Sequence, residues 1–135
     1  MNVQSLTLFA TLLAAALADS AEPAELKPEQ TWQGSANDES KAKSVPKVIT
    51  SADQLAEAWK ACERTDAVPT IDFKKHLAVA LTTHGSRVNP RVSLSTDGEL
   101  RVFGMETRDF RPGFRYVIST YPREGVKTVN GQALR

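Results

Sequence analysis

Apolar positions between residues 51 and 69 follow the period of a helix. Four of them recur at intervals of three and four residues, which places them on one helical face: Leu55, Ala58, Trp59 and Cys62. Ser51 precedes this run as an N-cap, and Gln54 stands three residues later, where it completes a capping box. The helix must end before Pro69, because the residue ahead of a proline disfavours helical geometry. The pattern predicts one capped, amphipathic α-helix.

Residues 76–83 follow the period of a strand. Leu77, Val79 and Leu81 point to one side, and Ala78 and Ala80 point to the other. Because both sides are apolar, we expect a central strand with the helix packed over its alanine side.

Two hairpins are predicted from turn residues between alternating runs. Residues 91–95 and 99–103 flank Thr96-Asp97-Gly98, and a left-handed Gly98 would place Leu94 opposite Leu100 and Val92 opposite Val102. A second hairpin spans residues 126–134, with Asn130-Gly131 at its turn.

Two further strands complete the prediction. Residues 114–119 put Phe114, Tyr116 and Ile118 on one face, and residues 45–49 form a short strand that Pro46 confines to an edge or a strand start. The fold class is therefore α+β: one amphipathic helix packed on a mostly antiparallel sheet, or on a small β-sandwich, of about six or seven strands.

An almost unbroken apolar run from Leu6 to Ala18 precedes these elements. It ends in Ala16-Leu17-Ala18, the small-x-small pattern of signal-peptide cleavage, and it is too short to span a membrane. We expect residues 1–18 to be a bacterial signal peptide cleaved after Ala18. The mature protein would then be periplasmic or extracellular, with no stable membrane insertion.

The predicted mature chain has two parts. Residues 19–44 are acidic, contain prolines, and predict a tail and loop in which Trp32 anchors the chain to the domain. Residues 45–135 predict a single α+β domain. Its one cysteine, Cys62, leaves no intramolecular disulfide to form, and its place on the apolar helix face favours a buried, inert thiol over a reactive one.

Charge is uneven along the chain although the net charge is only +1. Residues 19–72 hold six Lys or Arg against eleven Asp or Glu, and residues 73–135 hold eleven against five. The two halves either neutralise each other within one fold or leave a basic face for an anionic partner. A nucleic-acid partner is not expected for an exported chain.

Three features occur in an order that resembles a known family. They are the capped helix with Trp59, the segment Pro69-Thr70-Ile71-Asp72-Phe73-Lys74-Lys75-His76-Leu77 leading into the apolar strand, and the final hairpins ending in Gly125-Val126-Lys127-Thr128-Val129-Asn130-Gly131. Over residues 45–134 the chain resembles the C-terminal domain of PrcB-type accessory subunits of secreted protease complexes. The family's Gly-rich stretch after the central strand is reduced here to Gly85. The resemblance implies an exported, non-catalytic module.

The residue pattern contains no catalytic or metal-binding constellation, and no cofactor is expected. Asp72 is interpreted as the cap of a turn, with Phe73 filling the core. His76 and His84 would lie roughly 26 Å apart on an extended strand, so they could not share a metal. A small hydrolase that pairs His84 or His76 with Asp72 remains an alternative.

Arginines alternate with aromatic residues between positions 108 and 116. Arg and aromatic side chains are frequent at binding hot spots, and guanidinium groups recognise carboxylates and sulfates. The candidate binding residues are Arg108, Phe110, Arg111, Arg115, Arg87 and Arg91. Alternatively, these residues have structural roles: Phe114 and Tyr116 lie in the core, and Arg108 or Arg111 pairs with Asp109 or Glu106.

These patterns favour an exported, non-catalytic binding or accessory module. Its partner would be a protein, for instance a secreted protease. A second hypothesis is an anionic polysaccharide bound by the Arg/aromatic segment, and a third is the small secreted hydrolase.

Overall fold

The structure, a computed structural model, describes residues 23–134. The predicted signal peptide lies outside the described residues. The nine strands found between residues 23 and 134 are β1 (Ala24–Glu25), β2 (Thr31–Ala36), β3 (Val48–Ile49), β4 (His76–Thr83), β5 (Val88–Leu94), β6 (Glu99–Glu106), β7 (Phe114–Pro122), β8 (Thr128–Val129) and β9 (Gln132–Ala133). The helices are α1 (Ala52–Ala61) and a 3₁₀ helix (Glu39–Ser44).

The strands form two sheets. A four-stranded sheet has the order β2-β7-β4-β3, and a five-stranded sheet has the order β1-β5-β6-β8-β9. The predicted class, helix with mostly antiparallel sheet, is confirmed. The expected six or seven strands become nine, partly because β1 and β2 lie in a segment that was predicted to be irregular.

The tail and loop predicted for residues 19–44 include two strands that the prediction did not contain, Ala24–Glu25 and Thr31–Ala36. Strand β2 pairs antiparallel with β7 along its whole length, from Thr31 opposite Ser119 to Ala36 opposite Phe114. It is an edge strand with mostly exposed polar residues, so it lacks the apolar alternation that reveals an inner strand. Trp32 does anchor it as predicted, since its ring meets that of Trp59 edge-on at 5.6 Å between centroids.

Strand β4 lies inside the four-stranded sheet and separates two apolar cores. Ala78 and Ala80 face α1, and their small side chains let the helix come close. Leu77 and Val79 face the five-stranded sheet. Both faces are used as the alternating pattern predicts, and the predicted bounds of this strand are confirmed.

The capping box of α1 is confirmed with one change. The backbone N–H of Gln54 donates to Oγ of Ser51 at 3.2 Å, while Oε1 of Gln54 accepts from the N–H of Thr50 at 2.8 Å rather than from Ser51. Beyond the helix, the guanidinium of Arg64 lies 4.5 Å from the centre of the Trp59 ring and donates to the Tyr116 hydroxyl at 3.0 Å. This contact ties the end of α1 to the sheet. No helix in the described part of the chain has the length and apolar character needed to cross a membrane.

The hairpin registers are also confirmed. Leu94 lies opposite Leu100 and Val92 opposite Val102, with Gly98 at φ +91°. The Asn130-Gly131 turn has positive φ at both residues, as a type I′ turn requires.

One strand pairing departs from the antiparallel pattern. Strand β8 runs parallel to β6, with Glu99 opposite Thr128 and Leu100 opposite Val129. The two strands are adjacent in their sheet but β7, which separates them in the chain, belongs to the other sheet. The chain therefore crosses between the sheets twice, which allows parallel pairing without a crossover helix.

Because α1 packs closely on the alanine side of β4, a larger side chain should destabilise the fold at a buried helix position and not at an exposed one. Ala58 is fully buried against this core, whereas Ala56 is exposed on the same helix. Ala58→Leu should lower the free energy of unfolding in urea by about 1–3 kcal/mol through overpacking. Ala56→Leu should change it by less than about 0.5 kcal/mol. Equal effects at the two positions would contradict this packing.

Candidate binding site

The register between β4 and β7 brings two connecting segments together. Thr83, the last residue of β4, lies opposite Arg115 near the start of β7. The segment after β4, residues 84–87, therefore meets the loop that precedes β7, residues 107–113. This loop contains the centre of the Arg/aromatic segment.

Backbone hydrogen bonds clamp the 107–113 loop onto the 84–87 segment. The N–H of Thr107 donates to the carbonyl of Arg87 at 3.1 Å, and the N–H of Arg111 donates to the carbonyl of His84 at 2.8 Å. The hydroxyl oxygen of Thr107 accepts from the N–H of Arg87 at 3.1 Å. Since the bonds involve both ends of the loop, its backbone is fixed relative to the sheet.

Asp109 strengthens the clamp from within the loop. Its Oδ1 accepts from the N–H of Ser86 at 3.0 Å, and its Oδ2 lies 3.3 Å from Nε of Arg111. Hydrogen bonds from the Thr107 hydroxyl, and next from Ser86, hold the pKa of Asp109 well below its usual range. The carboxylate is thus ionised and has a structural role.

Gly85 permits the close approach of the two segments, and Gly113 permits the approach of the loop to the end of β2. A Cβ at Gly85 would lie 2.6 Å from the carbonyl oxygen of Thr107. Gly113 has φ +74°, and a Cβ there would lie 2.2 Å from the carbonyl oxygen of Ala36. The N–H of Gly113 donates to Oε1 of Glu39 at 3.2 Å, so the 3₁₀ helix supports the end of the loop.

Phe110 is presented at the surface by this clamped loop. Its side chain is 70% exposed and stacks on the imidazole of His84, with 5.7 Å between ring centres. Nδ1 of His84 lies 3.1 Å from the carbonyl oxygen of Gly113, which fixes the imidazole in place. The result is an aromatic ring held in one position with most of its surface in solvent.

The candidate arginines have different environments. Arg111 pairs with Asp109, which confirms the ion pair that was predicted as the alternative to a binding role. Arg115 donates from its Nη atoms to the carbonyls of Pro112 and Arg111, and so braces the loop. Arg91 lies on β5, where its guanidinium pairs with Glu25 of β1 at 2.8 Å rather than with a residue of the loop.

Arg87 and Arg108 are both exposed. Neither guanidinium makes an ion pair or hydrogen bond with any residue between 23 and 134. Phe114 and Tyr116 are buried in the helix-side core, which confirms the structural alternative for both aromatic residues. Of the six candidate binding residues, Phe110, Arg108 and Arg87 remain available for contact with a partner.

The side chains of the hydrolase hypothesis bond to other partners, although the N–H of His76 donates to the carbonyl of Asp72 at 2.9 Å. Oδ1 of Asp72 accepts from the N–H of Lys74 at 3.0 Å, which confirms the predicted turn, and Phe73 packs half-buried against the core. Nε2 of His76 lies 2.7 Å from Oε2 of Glu29, while His84 is at the opposite end of β4. Among residues 23–134, no three His, Cys, Asp or Glu side chains are grouped to hold a metal.

Cys62 is buried behind α1, as predicted. Burial raises the pKa of its thiol to about 11, which leaves almost no thiolate at neutral pH.

The sequence patterns did not identify two exposed apolar residues of β6. Phe103 and Met105 are 60% and 56% exposed on the outer face of β6, which also carries Arg101. Extending the strict alternation of the predicted hairpin beyond Arg101 would have placed both of them outside.

The chain matches no protein-family model, no curated protein and no solved structure. The resemblance to PrcB-type domains therefore remains a hypothesis.

The clamp predicts how two substitutions at Asp109 should differ. Asp109→Ala removes the acceptor for the Ser86 N–H and should speed hydrogen exchange at Ser86 and in the loop. Asp109→Asn keeps an acceptor oxygen, so exchange at Ser86 should stay close to that of the unsubstituted chain. Residue-resolved exchange by NMR checks this, and equally fast exchange in both variants would show that the Ser86 bond does not hold the loop.

The buried thiol predicts slow chemical modification. At pH 8, a disulfide reagent such as DTNB should modify native Cys62 about 100-fold or more slowly than it does in urea, because the folded state holds so little thiolate. Comparable rates in the two conditions would mean that the thiol is accessible.

Proposed function

We propose that this protein is an exported, non-catalytic binding module whose contact surface is the clamped loop bearing Phe110. The resemblance to PrcB-type domains supports the narrower role of an accessory subunit that binds a secreted protease. Export itself rests on the apolar run that ends at Ala18.

The observation that carries the proposal is the exposed ring of Phe110 on a fixed backbone. An aromatic ring left largely in solvent offers apolar area that a partner can bury. Because the loop is already ordered by hydrogen bonds, binding would cost little conformational entropy. Anchors of this kind are typical of interface hot spots.

The two arginines that have no ion-pair partner among the described residues favour an anionic partner. The charges of Arg91 and Arg111 are compensated within the fold, whereas no carboxylate between residues 23 and 134 pairs with Arg108 or Arg87. Such charges steer an acidic surface toward the site and add to the specificity of binding.

An anionic polysaccharide is the second candidate, favoured by the same arginines. It differs from a protein partner in its response to salt. Polysaccharide binding through Arg87 and Arg108 alone should weaken steeply as salt screens the charges, and a contact centred on Phe110 should weaken much less.

A matched pair of phenylalanine variants tests the contact surface. The chain from Asp19 onward, which keeps every described residue, serves as bait for the envelope and culture medium of the producing cell at low and high salt. Phe110→Ala should weaken capture of the bound protein by about 30-fold, because a central anchor is lost. Phe103→Ala removes an equally apolar, exposed ring from β6 and should change capture by less than about threefold.

Three results would contradict the proposal. Capture that survives Phe110→Ala, or that is lost equally in both variants, would remove the loop from the binding surface. Retention only of polysaccharide, only at low salt, would favour the second candidate.

A further inference from the structure

A cleft of about 330 Å³ opens beside the clamped loop, at the mouth between the two sheets. On one side it is lined by Gln33, Gly34 and Ser35 of β2 with Arg115 and Tyr116 of β7, and on the other by Ser86, Arg87 and Val88. Ser35 lies opposite Arg115 in the sheet, on the face turned toward β5. The cleft shares residues 86 and 87 with the segment that holds the loop.

The lining of this cleft is positive and rich in donors. The residues that line it carry two guanidinium groups, three hydroxyls and one amide, and no Asp or Glu within residues 23–134 is among them. Ser86 already gives its N–H to Asp109, but Arg87 has no side-chain partner within residues 23–134. The unpartnered charge of Arg87 therefore lies at the cleft rather than in an internal ion pair.

Arg115 gives a second, independent indication that the cleft binds an anion. Its Nη atoms bond to loop carbonyls, whereas its Nε is buried and has no acceptor among the described residues. A buried donor without an acceptor is costly, and an anionic oxygen is a strong acceptor for a guanidinium N–H. The three bonds to loop carbonyls leave one Nη1 N–H of Arg115 without an acceptor among residues 23–134, and Arg87 offers a complete fork. Such a fork can bind both oxygens of a carboxylate at once.

The position of β2 indicates that the carboxylate belongs to a polypeptide. Among the strands within residues 23–134, β2 is an edge strand that pairs with β7 alone, and two of its exposed residues, Gln33 and Ser35, line the cleft. An extended peptide segment could pair with such an edge and place a side chain in the cleft. The volume is at the small end of ligand pockets and fits one side chain.

We infer that the cleft between β2, β7 and the start of β5 is a carboxylate subsite that takes an Asp or Glu side chain of the partner, with Arg87 as the main ligand and Arg115, on the facing wall, as the second. The inference rests on the proposed function, since it names the chemistry of the partner at a site next to Phe110. It requires an acidic residue in the part of the partner that reaches the β2 edge.

Small probes test this subsite directly. The ¹⁵N-labelled chain from Asp19 onward is titrated with N-acetyl-glutamate N-methylamide, with the neutral glutamine analogue as a control and glucuronate as a sugar acid. The glutamate probe should shift the side-chain Nε–H signals of Arg87 and Arg115, and the glutamine probe should leave them in place.

Two variants that each remove one positive charge distinguish binding at the cleft from general electrostatic attraction of the probe. Arg87→Gln should weaken the glutamate probe by about tenfold, because the free guanidinium fork is lost while the backbone bonds of residue 87 remain. Arg101→Gln removes the same charge from the outer face of β6 and should change the affinity by less than about twofold.

The proposal is overturned if the glutamate probe shifts neither arginine, or if the two variants weaken it equally. Binding of glucuronate without binding of the glutamate probe would overturn the peptide assignment and favour a polysaccharide. The assay uses neither a partner nor a Phe110 variant, so it can fail while the proposed contact surface stands, and the capture assay can fail while the cleft binds its probe.

Discussion

The ladder between β4 and β7 is the constraint on which the rest of the structure depends. It joins eight residue pairs, from His76 opposite Pro122 to Thr83 opposite Arg115. Because both faces of β4 are apolar, this one pair of strands supports α1 on one side and the five-stranded sheet on the other. A shift of register by one residue would turn the alanine face toward the wrong core.

The same register positions the candidate binding surface. Since β4 ends where β7 begins, the segments beyond them lie side by side and exchange backbone hydrogen bonds. Gly85 allows this close contact, Gly113 lets the end of the loop approach β2, and Asp109 joins the two segments through Ser86. Phe110 is thus fixed by the central strands although it belongs to a surface loop. The position of the neighbouring cleft depends on the same register, because Arg115, which lines the cleft, is the second residue of β7.

Much of the fold could be predicted because its inner elements carry strong local patterns. The helix face, the two-sided strand β4 and the Asn130-Gly131 turn all follow from spacing within a few residues. Strand β2 could not be predicted in this way, since it is an exposed edge strand whose pairing with β7 joins residues 78 to 88 positions apart. The Arg/aromatic segment could be found from composition. Its clamp could not, because the partners of Asp109 and Arg111 lie more than 20 residues earlier in the chain.

The central claim is that the Phe110 loop is preformed and rigid in the free protein. Backbone ¹⁵N relaxation of the chain from Asp19 onward tests it most directly, by comparing order parameters in residues 107–113 with those in β4 and β7. The account predicts values near about 0.85 in the loop, as in the strands. Values below about 0.6 in the loop, with rigid strands beside it, would contradict a preformed surface.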